Sequence, residues 1–259
     1  MNACAQFRWV SAALSHPGHV RSVNEDACLD LPEHGAWSIA DGMGGHAVGD
    51  FASQLTIEAL DHVLGQTGDT GLALRMRETR ARLVSVNAQL QMEAARRQVR
   101  RIGCTVVVLI ASERTCGILW AGDSRLYLYR QGLLRQLTHD HSQVEELMAR
   151  GQLTPEQAHR HPAKHMITRA VGATGTLDLD EERIDPIDGD IFLLCSDGLT
   201  NEVSNEEIGA QLAAGDCRLA AERLIDMALQ RGGRDNTSVV VVEAHDLACA
   251  DRTQINPAL

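Results

Sequence analysis

The chain has 259 residues, 44% hydrophobic but only 3% aromatic, so its core must be built from Leu, Val, Ile, Ala and Met. That length is enough for one large domain or two small ones and buries a sizeable core. Its 24 basic and 35 acidic residues leave a formal charge of −11, which argues against nucleic acid as a partner.

Residues 5–14 alternate loosely and read as a first strand. CLDL (28–31) and AWSIA (36–40) read as short strands joined by a turn containing Pro and Gly. Asp41 follows directly, then Gly42, Gly44, Gly45 and Gly49. A turn needs one or two glycines, so this run marks backbone that bends tightly while something approaches it closely. FASQLTIEALDHVL then places Phe51, Leu55, Ala59 and Val63 on one helical face. A linker from Gly65 to Gly71 leads to a second, long helix from residue 72. Its end carries Arg96, Arg97, Arg100 and Arg101, the densest basic segment, which reads as a solvated face.

Strand signals come next in close succession at 104–111, 115–121, 125–130 and 133–137, as in an antiparallel meander. Residues 139–170 break the rhythm with two short helical patches, five histidines and two prolines, and read as an inserted excursion. A strand resumes at 190–196, helices follow near 205–214 and 217–231, and TSVVVVEA (237–244) reads as a buried strand before a polar tail. Two antiparallel sheets packed face to face, with helix pairs outside, would bury these runs.

The seven cysteines lack C-x-x-C spacing; Cys104, Cys116 and Cys195 sit in apolar runs as small core residues, and the set fits a reducing compartment. No run reaches the length of a membrane span, and the first residues lack the pattern of a signal peptide. The expected location is the cytoplasm, without direct membrane insertion.

The acids share one local pattern. Glu25 and Asp26 enter a strand, Asp41 and Asp197 leave strands, Asp123 lies between two strands, and Asp235 precedes the last one. Burying such charges without a partner is costly. A single one would serve as a cap or turn former; sets at five places ask for a common partner. A hard cation, Mg²⁺ or Mn²⁺, suits carboxylates, carbonyls and water, and the absence of Cys/His pairs at ligand spacing argues against structural zinc. The carbonyl of Gly42 has room to reach such an ion.

Read in order, RSVNEDA, ADGMGGH, GCTVVV, AGDSRLY, LTHDHS, ITRAVG, LLCSDGL and GRDNTSVVVV resemble the bacterial branch of the metal-dependent protein phosphatases, the PPM or type 2C family, from about residue 6 to 244. The resemblance implies an α+β fold, a four-layer α-β-β-α sandwich of two antiparallel sheets flanked by helix pairs. It implies one phosphatase domain over 1–245, a flap at about 139–170 and a short polar tail at 246–259. It also implies two or three Mn²⁺ or Mg²⁺ ions. Asp41 would bridge two of them, Asp197 and Asp235 would complete the shell of the first, and Glu25 and the Gly42 carbonyl would serve the second. Asp26 would orient the attacking water, Asp123 would help hold a weaker third ion, and Arg21 would grip the substrate phosphate. The implied reaction is hydrolysis of phosphoserine and phosphothreonine in proteins by a metal-bridging water, reversing a bacterial Ser/Thr kinase.

The sequence departs from many eukaryotic relatives at Met43, where they carry a candidate general acid. His46 lies three residues on and is expected to be dispensable. His139, His141, His159, His161, His165, Asp140 and Arg169 are expected to pack the flap rather than bind metal. Two other readings remain: a catalytically silent binding or regulatory module of the same fold, and a phosphatase of anti-sigma-antagonist proteins. The matched acids are all in place, against the first, and Arg21 is unaltered, against the second.

Overall fold

The computed structural model describes residues 7–43, 48–66 and 71–250. Its strands are β1 (Phe7–His16), β2 (Asp26–Leu31), β3 (Ala36–Met43), β4 (Gly103–Cys104), β5 (Val106–Ser112), β6 (Thr115–Ala121), β7 (Arg125–Arg130), β8 (Leu133–Gln136), β9 (Asp180–Ile184), β10 (Ile191–Cys195) and β11 (Thr237–Asp246). Its helices are α1 (Gly49–Leu64), α2 (Leu72–Arg96), α3 (Gln143–Ala149), α4 (Pro155–His159), α5 (Asp197–Thr200), α6 (Asn205–Leu212), α7 (Cys217–Gln230) and α8 (Leu247–Ala250). None of the described helices is long and apolar enough to cross a membrane.

The strands form two antiparallel sheets. One runs β1-β11-β10-β7-β8; the other runs β2-β3-β5-β6-β9, with β4 paired to the end of β3. Three apolar layers hold the sandwich together, and the strand period of two assigns residues to them. Val107 and Leu109 of β5 face Phe192, Leu194, Val240 and Val242 of the other sheet, forming the central layer. Their neighbours Val106, Val108 and Ile110 point the other way, against Leu60 and Leu64 of α1 and Leu83 and Leu90 of α2. Leu193, Val239 and Val241 likewise meet Leu212 of α6 and Leu224 of α7. Both faces of these strands are therefore buried, which is why they read as unbroken apolar runs. Each fully buried Leu or Ile contributes roughly 2 kcal/mol to this core.

The four-layer α-β-β-α sandwich read from the sequence is the observed fold. Local details differ. β3 does not stop at Asp41 but continues through Met43, because Gly42 and Met43 pair with Cys104 and Gly103. On α1 the expected stripe is displaced. Ala59 is buried, but Phe51, Leu55 and Val63 lie at its margin, while Ala52, Thr56, Leu60 and Leu64 pack deepest. Small residues at the start of α1 let it approach β3 closely. β9 escaped notice because DEERI is an edge strand beside β6, with Glu181 and Arg183 exposed and Asp180 and Glu182 only half-buried. β11 runs on to Asp246, and α8 follows it, so ordered structure extends past residue 245.

Candidate metal centre

The two sheets bring the acid-bearing strand ends to one edge of the sandwich. In β2 and β3, Asp26 and Asp41 are direct cross-strand partners. Asp123 follows β6, Asp197 follows β10 and opens α5, and Asp235 precedes β11. A cleft of about 540 Å³ opens at this edge, lined by Arg21, Asp123, Asp197 and Asp235, with the flap as another wall.

Backbone contacts fix the floor. The Gly42 N–H donates to the Glu25 carbonyl at 3.0 Å, and the Thr105 N–H donates to the Asp41 carbonyl at 2.8 Å. A Cβ on Gly42 would overlap the Gly49 carbonyl and stand 2.7 Å from the Glu25 carbonyl, so only glycine lets β3 pass between them. A Cβ on Gly198 would overlap the Asn236 carbonyl, which explains a glycine directly after Asp197.

Side chains that sequence reasoning passed over hold the acids in place. Asp26 Oδ2 accepts hydrogen bonds from Ser196 Oγ at 2.8 Å and Ser238 Oγ at 2.6 Å. Ser238 is also within 2.7 Å of Ser15 Oγ, which accepts from Asn24 Nδ2 at 2.7 Å. Asn236 accepts the Glu25 N–H at 2.8 Å and donates to the carbonyls of Pro17 and Val23, each at 2.9 Å. It thereby moors the loop carrying Arg21 and Glu25 to the start of β11. The available signal was the polar residue beside each acid, in CSDG and in RDNTS.

Arg21 is half-exposed, and its Nη2 donates to Asp235 Oδ2 at 2.8 Å. The other acids stand mostly in one another's field. Burial pushes the Asp41 carboxyl well above the carboxylate range, and the charges of Asp26, Asp197, Asp123 and Asp235 push it further. Burial raises Asp26 to about 7 against the pull of its two serines, and raises Asp123 to about 8 with help from Asp197 and Asp140. Asp197 is raised by burial and by Asp235. Like charges gathered in one low-dielectric place favour a cation among them.

These residues fit a hard divalent ion. The donors are oxygens throughout, and Asp26 Oδ1 and Asp123 Oδ1 are buried without a hydrogen-bond partner. Among the described residues, no three His, Cys, Asp or Glu side chains are gathered closely enough to hold an ion as they stand. Arg21 donates to Asp235.

The flap residues have structural partners. Asp140 accepts two hydrogen bonds from Arg125 Nε, at 2.8 and 3.1 Å, and one from Nη2 at 2.7 Å. His141 Nδ1 accepts the Gly122 N–H at 3.1 Å, its Nε2 lies 3.2 Å from Asp180 Oδ2, and its ring stacks on Trp120. Arg169 donates to Asp180 at 2.7 Å, and the His139 carbonyl accepts from Trp120 Nε1 at 2.9 Å. His161 Nδ1 accepts the Ala163 N–H. His165 instead lines the cleft. His46 and the His159 side chain lie outside the described residues.

Comparison with known proteins gives the same architecture a family. Residues 17–232 match the family described as Protein phosphatase 2C. The serine/threonine protein phosphatase PstP of Mycobacterium tuberculosis is 40% identical over 254 residues, covering 96% of this chain and 47% of PstP. The chain thus spans about half the length of that relative. A solved structure described as PppA, a key regulatory component of T6SS in Pseudomonas aeruginosa, has a TM-score of 0.84 at 40% identity, covering 91% of this chain and 97% of that one. The catalytic domain of PstP in complex with 2 manganese ions has a TM-score of 0.82 at 36% identity, covering 93% and 100% of the two chains. With the fold shared and most of its length matched, this chain belongs to the protein phosphatase 2C family.

Proposed function

We propose that the chain removes phosphate from phosphoserine and phosphothreonine in proteins, using Mn²⁺ or Mg²⁺. The observation that carries this reading is the cross-strand pair Asp26 and Asp41 at a cleft lined by Asp123, Asp197 and Asp235, in a member of this family. Asp41, Asp197 and Asp235 would hold one ion, and Asp41, Glu25 and the Gly42 carbonyl another. Asp123 would contribute to a weaker third. Bound there, such ions lower the pKa of water toward neutrality and offset phosphoryl charge.

The chain's own groups do the rest. Arg21, on the cleft wall, binds the phosphate oxygens after releasing Asp235; its exposure leaves room for that movement. Asp26, fixed by Ser196 and Ser238, orients the attacking water through Oδ1. In-line attack by water would form a new P–O bond as the bond to the Ser or Thr oxygen breaks, and the proton the water gives up balances the one the departing alcohol takes from solvent. Among the described residues, neither Met43 nor a cysteine is needed for this step. Cys28, Cys104, Cys116, Cys195 and Cys217 are free thiols, as a reducing, cytoplasmic setting would keep them. The usual opposing enzyme would be a bacterial Ser/Thr kinase.

Turnover of p-nitrophenyl phosphate and of a phosphothreonine peptide tests this reading. Activity is expected with Mn²⁺ and is lost with excess chelator or in Asp197→Asn. Equal rates in all three conditions would discard the metal-dependent reading, and no turnover in any of them would favour a silent module.

A further inference from the structure

Lys164 is the only lysine in the sequence. It stands on the flap, where it and His165 line the same cleft as Asp197 and Asp235. The turn that carries it is fixed. The Lys164 N–H donates to the His161 carbonyl at 3.1 Å, and the Met166 N–H donates to the Ala163 carbonyl at 3.0 Å. That turn is tied to the flap's beginning, since the Gln143 N–H donates to the Met166 carbonyl at 2.8 Å and the Thr168 N–H to the His141 carbonyl at 2.7 Å. The backbone is therefore positioned while the Lys164 residue is exposed.

A second cation enters the cleft from the loop before β11. The Arg234 side chain is 75% exposed, and its closest carboxylate, on Glu202, is 3.6 Å away, beyond hydrogen-bond distance. The other arginines of the cleft are already engaged, Arg21 by Asp235 and Arg125 by Asp140. Among the described residues, Lys164 and Arg234 are thus the lysine and arginine side chains of the cleft that no hydrogen bond commits to a carboxylate. Elsewhere the cleft presents Asp140, Glu145 and Glu202, which repel an anion. The whole chain, at −11, does so as well.

We propose that Lys164 and Arg234 form a subsite for an anionic side chain flanking the phosphoresidue. The inference rests on the phosphatase reading and names its substrate class: phosphopeptides carrying a carboxylate, or a second phosphate, within a few residues of the scissile group. The primary phosphate goes to Arg21 and to the divalent ions that the acids at the cleft floor would hold. The flanking anion is placed by the flap and the β11 loop, which gives direction to peptide binding.

The test compares phosphothreonine peptides carrying Ala, Glu or a second phosphothreonine at positions two or three residues to either side, alongside p-nitrophenyl phosphate. The wild-type protein is expected to favour an anionic peptide in kcat/KM. Lys164→Ala and Arg234→Ala should each reduce that preference by about threefold to tenfold, the double variant should abolish it, and p-nitrophenyl phosphate turnover should stay unchanged. Lys164→Arg should retain the preference, and raising the salt concentration should weaken it. Acetylation of the wild-type protein should act like Lys164→Ala, with acetylated Lys164→Arg as the control for the N-terminal amine.

A Glu peptide preferred over the doubly phosphorylated one identifies a carboxylate site, and the reverse order a phosphate site. Equal wild-type rates on all peptides overturn the proposal, as does a loss that falls equally on p-nitrophenyl phosphate. Fluorescence anisotropy with the same peptides separates the two readings. If nothing is hydrolysed but binding still prefers the anionic peptides through Lys164, the phosphatase reading fails while the subsite stands.

Discussion

Arg21 Nη2 donates to Asp235 Oδ2 at 2.8 Å, so the group proposed to hold phosphate rests on a group proposed to hold metal. A cation held at Asp235 would compete with this contact and would free the guanidinium for substrate. Arg21→Ala is expected to lower kcat/KM for phosphopeptides by roughly tenfold to a hundredfold, the scale of a lost charge-assisted pair. Mn²⁺ affinity should not fall, because Asp235 loses only a competitor. Steady-state kinetics with a parallel Mn²⁺ titration separates the two effects.

Ser238→Ala removes one of the two hydroxyls that support the buried Asp26 carboxylate. A hydrogen bond to a charged group contributes about 2 kcal/mol. The loss should therefore appear at pH 8.5, where Asp26 ionises, and shrink at pH 5.5, where it is protonated. Chemical denaturation in chelator at the two pH values checks this.

The same acids set the pH dependence of the metal-free protein. Asp26 and Asp123 ionise near 3.8 as ordinary aspartates, but burial holds them protonated in the fold to about 7 and about 8. Between those limits the folded state binds more protons than the unfolded state, so stability falls as pH rises. In excess chelator the melting temperature is expected to drop from pH 5 to pH 8.5, and Asp123→Asn should flatten the drop. Mn²⁺ should reverse it by neutralising the carboxylates.

Gly198→Ala forces a methyl group into the Asn236 carbonyl. A destabilisation of about 3 kcal/mol is expected, the upper end for overpacking. Asn236 also anchors the Arg21–Glu25 loop, so metal affinity should fall with it. Gly189→Ala, at a positive φ of 79° but with open space around it, should cost less and spare metal binding. Denaturation midpoints and Mn²⁺ titration of both variants test the distinction.

Much of this was legible in the sequence because burial on both faces leaves a plain mark. β5, β10 and β11 are near-continuous Val, Leu and Ile, and no polar alternation competes with that reading. The acids were legible because charge beside such runs is conspicuous. The supporting residues were not. Ser15, Ser196 and Ser238 look like ordinary polar positions at strand ends, and only the register of β1 against β11 joins Ser15 to Ser238. β9 is half-wet and acidic, so its pairing with β6 supplies what its own composition does not. The shift of the α1 stripe follows from packing on β3, which helical periodicity alone does not register.

Anomalous diffraction from Mn²⁺-soaked crystals tests the central claim most directly. The expected map has two adjacent Mn²⁺ peaks sharing the Asp41 carboxylate, one also bound by Asp197 and Asp235, the other by Glu25 and the Gly42 carbonyl. Peaks confined to other surfaces, or none at Asp41 under saturating Mn²⁺, would contradict it.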